Sequence, residues 1–166
     1  IFDESKHNHS LDTIREHLVN NGYFDAMVTS SYEYDNATKE IIVHIYIKKG
    51  KRFSFGQITV DVVTDYDDEN EDLSKVVKKK LAHSLLSRTF TKEYLDKQIT
   101  ILKDYVAKKG FLHTAIKVKQ EIDHDTLMIN TKWKITINQK REIVFFGNRF
   151  FPKKELLEKV LAFGKS

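Results

Sequence analysis

Leu11, Ile14 and Leu18 recur at the spacing of one helix face, with Ser10 ahead of them as the expected N-cap. Gly22 follows where a left-handed C-terminal cap favours a residue without Cβ. Beyond it the hydrophobic period changes to two. Ala26, Val28, Ser30, Tyr32 and Tyr34 share one strand face, and "DNATK" supplies a turn. On the return, Ile41, Val43, Ile45 and Ile47 alternate with Ile42, His44, Tyr46 and Lys48. The pattern predicts a helix that runs through a glycine into a hairpin.

A third strand is expected where Ile58, Val60 and Val62 alternate. Gly56 breaks the phase set by Phe53 and Phe55 and marks a bulge or bend. The acidic run "TDYDDENED" reads as a solvated loop leading into a helix that carries Leu73, Val76, Val77, Leu81 and Leu85. After a break at "SRTFT" comes a second helix with Thr91 as its expected N-cap. Its apolar side holds Tyr94, Leu95, Ile99, Leu102, Tyr105 and Val106. That helix ends at Gly110-Phe111. A strand through Ile116, Val118, Gln120 and Ile122, a turn at "DHDT" and a last strand from Leu127 to Ile137 complete the set.

The helix-glycine-hairpin pattern therefore occurs twice. Gly22 to Gly110 is a step of 88 residues, and the Lys-Arg pair at 51–52 returns at 140–141, a step of 89. A repeat at fixed spacing changes the fold expected of the chain. One whole strand-helix-helix-strand-strand unit is expected over residues 51–138. The back half of a preceding unit fills 1–50, and the front of a following one fills 139–166. The abrupt start at Ile1-Phe2 and the stop after a short helical pattern read as cuts within a longer protein.

The fold class that follows is α+β, each unit a three-stranded mixed sheet with both helices on one face. The first strand, reached through two helices, can lie parallel to its neighbour, whereas the final hairpin is antiparallel. The clean alternation from Leu127 to Ile137 suits a central strand. That leaves Thr114, Ala115, Ile116, Lys117, Val118, Lys119 and Gln120 on an edge, where outward lysines guard against aggregation. An edge also presents unpaired backbone donors and acceptors to an extended peptide. Ala26 to Tyr34 is the equivalent, subordinate candidate.

Composition narrows the chemistry. The 166 residues hold 28 Lys and Arg against 24 Asp and Glu, a net +4, short of the dense basic face of a dedicated nucleic-acid binder. There is no cysteine, hence no disulfide and no thiolate metal site. No apolar run nears the roughly 20 residues of a membrane-spanning helix. The seven histidines, "HNH" at 7–9 included, lack ligand spacing, and neither a nucleophile motif nor a phosphate-binding glycine loop occurs. No catalytic residue, metal or cofactor is expected. Gly22 and Gly110 read as backbone devices, Tyr23 and Phe111 as hydrophobic closure under the helix, and Trp133 as core. The competing class is an RNA-binding α+β module, suggested by aromatics alternating after basic residues in "KGKRFSFGQI". The glycine pattern of that class is missing, and Ile143 and Phe145 repeat the same positions as core strand residues.

Successive strand-helix-helix-strand-strand units, each with Gly-Tyr or Gly-Phe between second helix and second strand, resemble POTRA (polypeptide-transport-associated) domains. "GKRFSFGQI" is similar to the join between such units. "IVFFGN" followed by "FPKKELLEKV" resembles the start of the next, with Gly147-Asn148 at the family's glycine-asparagine turn. The resemblance covers nearly the whole chain and departs from the family only in the long acidic loop over 64–72. It implies the periplasmic arm of an outer-membrane assembly or translocation protein of the BamA and TamA type, anchored through a C-terminal barrel outside this sequence. The implied partners are unfolded outer-membrane β-barrel precursors and accessory assembly proteins, with no nucleic acid. Two-partner secretion transporters and division proteins carry the same kind of unit.

Overall fold

The computed structural model describes residues 3–64, 70–111, 113–137, 144, 146–147, 150–156 and 159. Its elements run α1 (Glu4–Asn20), β1 (Met27–Asp35), β2 (Glu40–Lys48), β3 (Ser54–Thr64), α2 (Asn70–Leu85), α3 (Lys92–Lys108), β4 (Thr114–Asp123) and β5 (Met128–Ile137). β1 and β2 form a two-stranded sheet, and the other three strands form a sheet in the order β3-β5-β4. This is a mixed α+β fold.

The first helix starts earlier than its apolar pattern suggests. Asp3, not Ser10, is the N-cap, its carboxylate accepting from Lys6 N–H at 3.1 Å. Ser10 lies inside the helix and turns its hydroxyl back onto the Lys6 carbonyl. Thr91 caps α3 in the same manner, accepting from Tyr94 N–H at 3.1 Å.

Asp3 and Thr91 are 88 residues apart, and the correspondence persists to the end of each hairpin. Gly22 and Gly110 both hold positive φ, +91° and +97°. The amide after each reaches back to equivalent carbonyls, Tyr23 to Leu18 and Phe111 to Val106. In the turns, Asp35 accepts from Ala37 and Thr38 N–H, and Asp123 accepts from Asp125 and Thr126 N–H. Lys39 and Leu127 then both sit at left-handed φ, +59° and +57°. Leu127 thus belongs to the turn rather than to β5. Residues 3–48 are repeated at 91–136 in cap, helix end, turn and strand alike.

By proximity the described chain divides into two compact units: 1–57 with 85–96 and 121–130, and 58–84 with 97–120 and 131–166. In the first unit α1 is tied to the hairpin by Arg15, which donates to the Val28 carbonyl, and by His7, whose Nε2 lies 2.7 Å from Ser30 Oγ. β1 and β2 are antiparallel, with Val28 opposite Ile47, Tyr32 opposite Val43 and Tyr34 opposite Ile41. β3 and β5 are neighbours in the sheet, with Ser54 N–H on the Leu127 carbonyl and Gln57 N–H on Asn130 Oδ1. At Gly56 the two approach closely. A Cβ there would stand 2.4 Å from Asn130 Oδ1 and 2.9 Å from Met128 Cβ.

The second unit is a layered core. In β5, Thr131, Trp133, Ile135 and Ile137 are buried while Lys132 and Lys134 are exposed, so one sheet face is covered and one is open. Thr131 accepts from Trp133 Nε1 at 3.0 Å, which lets both polar groups be buried. Val77 and Leu81 of α2, with Leu102 and Val106 of α3, supply the helix layer. Val76, expected on the apolar side of α2, is 47% exposed. The next position, Val77, takes the core place, because the buried stripe passes through Val77, Leu81 and Leu85 at four-residue spacing. Residues 65–69 of the acidic loop, Asn148 and most of the stretch read as a following unit lie outside the described residues.

Candidate functional site

The edge segment Thr114 to Gln120 lies in β4, at one end of the strand order. Its pattern alternates along the strand. Thr114, Ile116 and Val118 are half-buried, whereas Ala115, Lys117 and Lys119 are exposed. From Gln120 to Ile122 the strand is exposed on both faces, with Ile122 44% exposed. No burial of large apolar side chains therefore competes for the outer half of this strand.

The opposite edge of the sheet is different at its start. Phe55 N–H donates to the Arg88 carbonyl at 2.8 Å, and Ser87 N–H donates to the Phe55 carbonyl. Phe90 N–H donates to the Phe53 carbonyl at 2.9 Å. The "SRTF" break between helices is thus a short strand-like cover over the beginning of β3, reinforced by the Ser54–Thr89 bridge. A covered edge resists addition of another strand. Among the described residues no strand pairs with the outer side of β4.

The glycine-aromatic junction has a structural role with unequal parts. Gly22 is buried, and a Cβ on it would approach the Phe90 carbonyl oxygen to 2.6 Å. Its own carbonyl accepts from Phe53 N–H at 2.8 Å, and the Asn21 carbonyl accepts from Arg52 Nε at 2.8 Å. Phe111 is buried, 6% exposed, but its counterpart Tyr23 is only half-buried. The Arg52 and Lys49 cations stand over the Tyr23 ring at 5.6 and 5.9 Å. The plug is instead Phe24, edge-on to Phe53 at 5.3 Å and to Phe90 at 5.1 Å. Beside it Asp25 Oδ1 meets His124 Nδ1 at 2.7 Å. Sequence reasoning missed Phe24, Asp25, Phe90 and His124, since nothing local links positions so far apart. The second aromatic after Gly22 was the available signal. Gly147 also holds positive φ, +74°, in open space.

Among the described residues no cluster of His, Asp and Glu is arranged to hold a metal ion. Two carboxyls of the described residues are shifted, both by their turns. The Thr126 hydroxyl, then its N–H, lowers Asp123 below its ordinary value, and Ala37 and Thr38 N–H groups lower Asp35. Both are half-exposed residues at a hairpin turn, so the shifts report loop geometry and not proton-transfer chemistry. The arrangement offers an open strand edge, a basic outer face and a braced joint.

The model of the POTRA family, described as surface antigen variable number repeat, matches residues 1–50. No curated protein matches the chain. Among solved structures, Haemophilus influenzae BamA POTRA3-5 is 15% identical over 96% of this chain, with a TM-score of 0.47. This chain spans 62% of that one, less than two thirds of its length. POTRA1-2 of the periplasmic domain of Omp85 from Anabaena is 10% identical over 81% of this chain and 74% of its own, with a TM-score of 0.46. The N-terminal domain of Omp85 from Thermosynechococcus elongatus is 11% identical over 86% of this chain and 55% of its own, at 0.39.

Proposed function

We propose, from the match of residues 1–50 to the POTRA family model, that the chain is part of a periplasmic binding scaffold of an outer-membrane assembly protein. It docks unfolded outer-membrane protein segments, and accessory proteins, by adding an extended strand to β4. The role is that of a non-enzymatic scaffold, held at the membrane by a barrel elsewhere in the protein. The single observation that carries this reading is the strand order β3-β5-β4, which puts β4 at an edge with no strand on its outer side among the described residues. Each added backbone hydrogen bond contributes roughly 0.5–1.5 kcal/mol net, so short segments bind weakly and with little dependence on sequence.

Lys117→Pro and Val118→Pro test it together. Neighbouring amides on a strand point to opposite sides, so one proline removes an outward donor and the other removes a bond to β5. The variant that keeps its fold should lose binding to extended peptides. Unchanged binding by that folded variant would exclude addition at β4.

The same reading assigns residues 1–50 to the back half of a module. Ile41, Val43, Ile45 and Ile47 are 36–49% exposed, whereas Ile129, Thr131, Trp133 and Ile135, each 88 residues later, are at most 1% exposed. The second copy is preceded by β3 and α2. A strand and helix of that kind, from outside the described residues, would cover the first copy likewise.

A further inference from the structure

The open face of the three-stranded sheet carries charges that the fold does not need. β4 and β5 close on the same turn as β1 and β2, down to the accepting aspartate and the left-handed residue that ends it. Carried forward by 88 residues, the β1–β2 register sets Asp123 opposite Met128, which matches the bounds of the two strands. It then sets Lys119 opposite Lys132 and Lys117 opposite Lys134. All four are exposed. Like charges directly opposite one another on a sheet destabilise it.

The first copy shows that the fold works without them. There the same places hold Ser31 opposite His44 and Thr29 opposite Tyr46. Ser31 even donates to the Tyr46 hydroxyl, at 3.4 Å. On the second copy the acidic side chains Glu121 and Asp123 lie toward the turn, and Asp61 lies on β3. Lys132 and Glu121 each have an interaction of their own, so the weight falls on Lys117, Lys119 and Lys134. Two of these belong to the edge strand itself. On the other face of that strand Ile116 and Val118 are half-buried.

We propose that the β4 edge selects extended segments that alternate acidic and apolar residues. This inference rests on strand addition at β4 and names the class of segment added. A strand paired with β4 places alternate side chains on alternate faces. Those on the open face fall beside Lys117 and Lys119, and those on the helix face fall beside Ile116 and Val118. Carboxylates there relieve the lysine-lysine opposition, whereas added lysines aggravate it.

The test uses eight-residue capped peptides in which valine alternates with glutamate, glutamine or lysine, titrated against the 166-residue chain. The glutamate peptide should bind about tenfold more tightly than the glutamine peptide, and the lysine peptide more weakly still. The preference should shrink as salt rises from about 50 to about 500 mM. The Lys117→Glu/Lys119→Glu variant should invert the order. Equal affinities for all three peptides, lost together in the folded proline variant of β4, would overturn charge selection and leave strand addition standing. No binding of any peptide would overturn both. A glutamate preference that survives the double charge reversal would place the acidic site elsewhere. Tighter retention on phosphatidylglycerol vesicles than on the glutamate peptide would make the basic face a lipid contact and overturn the proposal.

Discussion

Phe24 and Phe53 meet edge to face, with ring centroids 5.3 Å apart and planes at 62°. Phe24 also meets Phe90, so one ring from the first helix-hairpin junction bridges two segments that lie between the two copies. Phe24→Ala should therefore cost about 2–3 kcal/mol, below the full cost of a core phenylalanine because the ring is half-buried. Urea unfolding of the two proteins measures it. A loss under about 0.5 kcal/mol, the range of ordinary surface substitutions, would show that the ring braces nothing.

Gly22→Ala and Gly50→Ala separate strain from collision. Both glycines hold positive φ, +91° and +73°. At Gly22 the new methyl would also press to 2.6 Å on the Phe90 carbonyl oxygen, whereas at Gly50 its nearest neighbour is Asp25 Cβ at 3.3 Å. Alanine at 50 should cost about 1–2 kcal/mol, the ordinary left-handed penalty, and alanine at 22 clearly more. Equal midpoint shifts in urea would contradict the close approach at Gly22.

Asp123 anchors the β4–β5 turn and titrates below its ordinary value of 3.8, chiefly through the Thr126 hydroxyl and then its N–H. A carboxyl whose folded pKa is depressed stabilises the fold above its unfolded pKa, and that contribution is lost as pH falls through the folded value. Asp123→Ala should thus be less stable than the parent at neutral pH. The difference should narrow below about pH 3.8. Unfolding curves across that window check it, and a gap that stays constant with pH would refute it.

Legibility in the sequence followed distance along the chain. Periodicity marked out every helix and strand of the described residues, and the recurrence of Gly-aromatic one period on exposed the repeat before any contact was known. Ser10 reads as a cap because the apolar face of α1 starts there, whereas in the fold Asp3 holds Lys6 N–H. The half-covered face of this hairpin gives the early turns of α1 little to bury. Phe24 and His124 were invisible for a different reason. Their partners lie far off in sequence, and only the folded chain brings Asp25 to His124 across 99 positions. β4 as a candidate edge was readable because a central strand alternates strictly, as β5 does, and an edge need not.

The exposed face of β2 gives a test of the repeat itself. Ile45→Ser alters a side chain 45% exposed in residues 1–166, and should cost no more than about 1 kcal/mol there. In a longer chain that includes the covering strand and helix, the same substitution should cost about 2–4 kcal/mol, as a buried isoleucine does. Equal costs in both chains would leave the face without an intramolecular cover.

Strand addition at β4 is tested most directly by amide hydrogen exchange, residue by residue, with and without a saturating extended peptide. Alternate amides of Ala115 to Lys119 should gain protection together, at a period of two, because only those on the outer side acquire a partner. The opposite edge, where Phe53 and Phe55 already pair with Phe90 and Arg88, should stay unchanged. Protection that rises on β3 or on the helices while β4 exchanges as before would contradict a binding edge at β4.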